Sequence, residues 1–175
     1  FDNQHNFIVY FRPEDGRALP FLWDMDYNFG AAATSPINRA VGNLAKVIAL
    51  PGNQRLYHGH LLDLITTTYN TNYLATWITH YGTVAGQNFE GIRSYVDQRA
   101  KYVRTQLTAS VPFSVNGSTA PGLVETPSAQ LSGRAWINVR NLRLAGQSSP
   151  LEVKWNSTTS WQANVPVILG TNAFQ

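Results

Sequence analysis

At 175 residues and 43% hydrophobic content, the chain has enough apolar material to bury a core, as one large domain or two small ones. Cysteine is absent, which excludes disulfides and thiolate chemistry, and no apolar run approaches the roughly 18 residues a membrane-spanning helix needs. The formal charge is +3, yet the 13 lysines and arginines form neither a run nor a basic helix face, so nucleic acid is not an expected partner.

The charge is unevenly placed. Asp2, Glu14, Asp15, Asp24 and Asp26, five of the ten acids, lie within the first 26 residues, whereas residues 31 to 175 carry eleven bases against five acids. An acidic focus in a basic protein suits a bound divalent cation; an exposed acidic hairpin is the other explanation. Residues 7 to 30 read as a β-hairpin: Phe7-Ile8-Val9-Tyr10-Phe11 is β-branched and aromatic, Pro13-Glu14-Asp15-Gly16 is turn chemistry, and Leu19 to Trp23 is a second run. If the extended backbone continues past Trp23, its period of two puts Asp24 and Asp26 on one face, about 7 Å apart.

Residues 36 to 110 read as helical, with Ser35 as cap and Pro36 at the first helical position. Pro51-Gly52-Asn53 divides the first two helices. Tyr73 to Tyr81 forms a third, short one, and the recurrence of Phe89, Ile92, Tyr95, Val96, Ala100, Val103 and Leu107 at three and four residues defines a fourth. From Val111 the punctuation by Pro112, Asn116-Gly117, Pro121-Gly122 and Pro127 predicts a linker. Beyond it, strands are expected at 135–139, 142–144, 151–155 and 165–169, the pattern of a small β-sandwich. The expected fold class is α+β: a hairpin with a helical bundle (a partial kinase-like C-lobe on the resemblance given below), followed by a small β-sandwich-like module, either truncated or completed by the helical part. The expected divisions are 1–112, a linker at 113–130, and the module at 131–175.

Magnesium takes hard oxygen ligands, which Asn6, Asp24 and Asp26 supply. Asp2 stands four residues before Asn6, and an Asp followed closely by an Asn is how kinase-like sites set a base beside a metal ligand; the same pair also fits a cap and turn into the first strand. His58 and His60 stand two apart on a predicted helix and do not share a face for chelation, and His80 is expected on a helix surface. Asn116-Gly117-Ser118 and Asn156-Ser157-Thr158 match glycosylation acceptors, a pattern that arises readily by chance.

The ordered set Asp2-Asn3-Gln4-His5-Asn6-Phe7-Ile8-Val9-Tyr10, Asp15-Gly16-Arg17 and Leu22-Trp23-Asp24-Met25-Asp26-Tyr27-Asn28-Phe29-Gly30 resembles the core of the CotH (spore coat protein H) kinase family. Asn53-Gln54-Arg55-Leu56-Tyr57 and the helix from Phe89 to Leu107 extend the resemblance to about residue 112. It implies a partial kinase-like C-lobe that transfers phosphate from ATP, with Mg2+, to protein Ser or Thr. By motif position, Asp2 is the catalytic Asp, Asp24 the metal-binding Asp supported by Asp26, and His5 and Asn6 are neighbours of the cofactor, Asn6 also serving the metal.

Two departures from the family pattern bear on this. Phe21-Leu22-Trp23 replaces apolar-Pro-Trp, with Pro20 displaced upstream. The strands and the lysine that would hold the nucleotide phosphates are expected in a preceding half of a longer parent protein, Phe1 being an unlikely natural start. Gly82, Gly86 and Gly91 lack the strand-loop-helix setting of a phosphate loop. The chain is therefore expected to be weak or inactive alone, with that missing half or a protein substrate as its partner.

A glycoside hydrolase using Asp24 and Asp26 is the second expectation, since the spacing of about 7 Å falls within the range of paired glycosidase carboxylates, with Trp136, Trp155 and Trp161 as stacking surfaces on polysaccharide. A non-catalytic carbohydrate-binding or cell-surface module is the third. The segments around Trp136, Trp155 and Gly170 loosely resemble modules that follow CotH-like domains in exported bacterial proteins, which favours an extracellular or envelope setting over cytoplasm.

Overall fold

The computed structural model describes residues 7–22, 29–116 and 127–172, and over them the fold is α+β: four helices and two small antiparallel sheets. The chain divides into two compact units, one of residues 1–45 and 64–106, the other of residues 46–63 and 107–175.

In the first unit, β1 (Phe7–Phe11) and β2 (Ala18–Leu22) pair antiparallel from Phe7↔Leu22 to Phe11↔Ala18. β-Branched and aromatic residues dominate β1, and Pro20 is tolerated in β2 because a two-stranded sheet leaves each strand an outer edge that needs no donor. Between them Gly16 donates its N–H to the Arg12 carbonyl at 2.8 Å and adopts φ 67°, a left-handed conformation natural to glycine. The hairpin is the one expected.

Ser35 and Pro36 do not begin a helix, contrary to expectation; α1 spans Gly42–Ala49. A helix cap uses its own carbonyl to accept the first intrahelical bond, but the Ser35 carbonyl accepts from Arg99, and Asn38 turns the backbone locally by accepting the Ala40 N–H at 3.3 Å. The break at Pro51 is as expected. There α2 (Pro51–Thr67) begins, and the Asn53 side chain donates to the Val47 carbonyl at 2.8 Å, satisfying one of the open acceptors of α1.

α3 (Thr71–Ala85) is longer than its apolar pattern predicts because its ends are set by caps. Asn70 accepts the Tyr73 N–H at 3.0 Å, and Gly86 closes the helix at φ 64°. α4 (Glu90–Gln106) follows the predicted face, with Val96 and Val103 buried and Asn88 accepting the Glu90 N–H at 2.9 Å.

The second unit holds a four-stranded sheet in the order β3-β4-β6-β5, from β3 (Ser114–Asn116), β4 (Ser128–Arg134), β5 (Val153–Trp155) and β6 (Ser160–Pro166). One face packs a core of Ala135, Leu142, Trp161 and Ala163, joined by Leu131, Val139, Leu151, Val153 and Trp155. Residues 135–139 and 142–144 are not the strands expected, although Ala135, Ile137 and Leu142 are buried as strand residues would be. Residues 165–169 are strand only as far as Pro166. Composition reported burial there, while the backbone of 135–139 is bent by the Trp136 carbonyl accepting the Val139 N–H at 3.0 Å and by the side-chain contacts described next.

Candidate functional site

The hairpin carries the motif that frames the acidic cluster. At its tip the Asp15 carboxylate accepts from Arg12 Nε at 2.8 Å and from the Arg17 N–H at 3.1 Å, and Arg17 Nε lies 3.1 Å away as well. The Arg12 guanidinium holds the Asp15 carboxyl below its usual pKa. Asp15-Gly16-Arg17 therefore serves as the turn, its charges satisfied within the hairpin. At the open end, the Phe7–Leu22 pair stands one peptide bond from Asn6 on one strand and from Trp23 on the other. Asp2, His5, Asn6, Asp24 and Asp26, with the Trp23–Asn28 segment, lie outside the described residues.

Downstream of the cluster, the chain is held by α4. Phe29 meets the Tyr95 ring edge-on with centroids 5.7 Å apart, and Arg99 donates to the Ala33 carbonyl at 3.0 Å and to the Ser35 carbonyl. Arg99 also sits 5.6 Å from the Tyr102 ring centroid. Tyr69 belongs to the same neighbourhood: burial, with a further push from Tyr95, raises its phenol to about 12, so it is a neutral hydrogen-bonding group at physiological pH. The spacing of Tyr95 and Arg99, one helical turn apart, was visible in sequence; their targets at 29–35 were not.

Arg55, part of the segment Asn53-Gln54-Arg55-Leu56-Tyr57, has another role. Its side chain is only 4% exposed, donating from Nη1 to the carbonyls of Ala135 (2.8 Å) and Thr158 (2.6 Å) and from Nη2 to those of Trp136 and Val139 (both 2.6 Å). The guanidinium also stacks 3.5 Å over the Trp155 ring. Burial, then Arg140, draws its pKa down to about 10, which leaves it charged at neutral pH and held by carbonyl dipoles and an aromatic face. These contacts keep 135–139 out of a ladder. Arg140 donates to the Gly59 carbonyl at 2.8 Å and pairs with Asp63.

His58 is buried and the Thr108 N–H donates to its Nδ1 at 3.2 Å, with Thr108 Oγ1 3.0 Å from the same nitrogen. A backbone N–H can only donate, so Nδ1 is the acceptor and the proton of the neutral ring is on Nε2. His60 and His80 are exposed. Of the tryptophans considered as sugar platforms, Trp161 is 2% exposed, Trp155 lies beneath Arg55, and Trp136 Nε1 donates to the Thr108 carbonyl at 2.8 Å. All three serve the second unit's packing.

Among the described residues, no three His, Asp or Glu side chains gather as a metal site, and no helix is long and apolar enough to cross a membrane. No family model, curated protein or solved structure matches the chain.

Proposed function

We propose that this chain contributes the metal-binding part of an atypical, CotH-like kinase site that transfers phosphate from Mg-ATP to protein Ser or Thr within its parent protein. The observation that carries the proposal is the hairpin. The ordered motif requires an aromatic strand after His5-Asn6, a Gly-containing turn, and a second strand ending at Trp23-Asp24-Met25-Asp26. The pairing of Phe7–Phe11 with Ala18–Leu22 supports that frame, Asn6 and Trp23 being the next residues in sequence beyond its Phe7–Leu22 end. On this reading the hairpin with α1 to α4 is a partial kinase C-lobe, and the four-stranded sheet, with the buried Ala135, Ile137 and Leu142, is one layer of a sandwich-like module.

The donor set suits the cofactor by its chemistry: Asp24, Asp26 and Asn6 are hard oxygen ligands of the kind magnesium selects, with His5 beside the nucleotide. Bound magnesium neutralises phosphate charge. In the proposed site Asp2 accepts the proton of the acceptor hydroxyl. Asp24 would hold the magnesium, with Asp26 supporting it. Phe29 on Tyr95, and Arg99 on the 33–35 carbonyls, fix the chain that leaves the cluster. The 175 residues contain lysine only at 46, 101 and 154 and no Gly-rich phosphate loop, so nucleotide affinity by this chain alone is expected to be weak.

Calorimetric titration of the 175-residue chain with Mg2+ and ATP together tests the reading. Magnesium-dependent heat that disappears in Asp24→Ala is expected, with little phosphate transfer. Equal binding by wild type and Asp24→Ala, or robust transfer that survives Asp24→Ala, would overturn it.

A further inference from the structure

The second unit's sheet has two faces of opposite chemistry. Ala129, Leu131, Gly133, Trp161, Ala163 and Val165 alternate toward the core side. The intervening residues form the other face, and register makes them neighbours: Gln130 opposes Asn164, Ser132 opposes Gln162, and Gln162 opposes Lys154. Glu152, just before β5, shares this side with Lys154. Gln130, Glu152, Lys154, Gln162 and Asn164 line a hollow of about 290 Å³ whose floor includes Val153 and Ala163.

Stability does not account for this composition. Asn and Lys are disfavoured in strands, and a solvated face is ordinarily strengthened by threonine pairs, aromatics or opposed charges across strands. None of these occurs at the centre of the face, where each of the three pairs Gln130–Asn164, Ser132–Gln162 and Gln162–Lys154 contains an amide. Glu152 and Lys154 lie on one side, two residues apart, and no ion pair joins them to each other or to another described residue. Gln162 has one side-chain partner, accepting from Asn156 Nδ2 at 3.0 Å, so its own amide donors stay available. A strand face built against its local preferences is where a binding role is expected.

The side chains identify the ligand class. An amide offers a donor and an acceptor on one planar fork, the complement of a pair of adjacent hydroxyls, each of which does both. One acid and one base cancel, so the hollow has no net charge to attract phosphate, nucleic acid or a uronic polymer. Large apolar side chains, which a lipid or an apolar peptide would need, are confined to the opposite face. We infer that the β4-β6-β5 face is a binding site for a neutral, hydroxyl-rich oligosaccharide, held by Gln130, Gln162 and Asn164 with Glu152 and Lys154 at its rim. The inference is independent of the kinase reading, and it does without the tryptophans, which are committed to packing.

The test is a titration of the 15N-labelled 175-residue chain with cellohexaose, xylohexaose and mannohexaose, following side-chain amide resonances. Shifts centred on Gln130, Gln162 and Asn164 with at least one sugar are expected, and affinity should fall about tenfold in the double variant Gln130→Ala, Asn164→Ala. Both substituted residues are exposed; if the pair disturbs the circular dichroism melt, Asn164→Asp, which keeps size and removes an amide donor, is expected to weaken binding instead. Four results would overturn the inference: silence with all three sugars, shifts centred elsewhere, affinity unchanged in the variants, or tighter binding of polygalacturonate or a peptide than of any neutral sugar.

Discussion

Arg55 is the residue whose chemistry most shapes the second unit. A planar fork reaching four carbonyls and lying flat on Trp155 cannot be replaced by a point charge on a flexible stem. Arg55→Lys should lose at least two charge-assisted bonds and the stacking, costing about 3 kcal/mol, and chemical denaturation of wild type and variant measures it. His58 supplies a pH dependence of definite sign. Burial lowers its pKa, so the unfolded chain binds a proton that the folded chain resists, and stability rises with pH over that interval. Its contribution is complete above the unfolded pKa of about 6.5 and declines as pH falls below that value, because protonation takes the Nδ1 lone pair from the Thr108 N–H. Urea midpoints measured between neutral and acid pH should show this decline, and His58→Asn, which keeps an acceptor without the titration, should flatten it. Neither role was legible in sequence: Arg55 sat within a motif and His58 on a helix, and what each touches lies 50 to 103 residues away.

At the scale of elements, legibility followed locality. The hairpin, the break at Pro51 and the face of α4 rest on turn chemistry, a missing donor and 3.6-residue spacing, all of which act within a few residues. Strand assignment beyond Val111 depended on distant partners: the strand expected at 151–155 is found as β5, whereas 135–139 and 142–144 are not strands and β3, β4 and most of β6 fall outside the expected ranges. Residues 135–139 have the composition of a strand, but the carbonyls of Ala135, Trp136 and Val139 are taken by Arg55; β4 and β6 carry amides in place of β-branched residues, although Leu131, Trp161, Ala163 and Val165 keep the period of two. Gly133 shows how closely these strands meet. A Cβ there would stand 2.0 Å from the Ser114 carbonyl oxygen and 2.8 Å from the Trp161 ring, so a methyl group forces β3 or Trp161 to move. Gly133→Ala should cost about 1 to 3 kcal/mol and speed amide exchange at 114–116, whereas Ser132→Ala on the opposite face should be nearly neutral. Normal protection of β3 in Gly133→Ala would contradict this packing.

For the whole molecule, the hairpin was legible in sequence and the acidic cluster lies outside the described residues, while the division of the chain cuts across the order of elements. α2 contributes residues 51–63 to one compact unit and 64–67 to the other, so a helix that sequence reads as a single scaffold element belongs to two packing neighbourhoods. If each unit is held chiefly by its own contacts, damage to one should open it before the other. Arg55→Lys provides the lesion, since all its partners, Ala135, Trp136, Val139, Trp155 and Thr158, lie in the second unit. Hydrogen exchange followed by mass spectrometry should then show protection lost across residues 46–63 and 127–166. α3 and α4, capped by Asn70, Gly86 and Asn88 and packed through Ile78, Val96 and Val103, should keep theirs. Equal loss in α3 and α4 would mean that α2 couples the two units into one cooperative fold, and Arg55 would then stabilise the whole chain through a single helix.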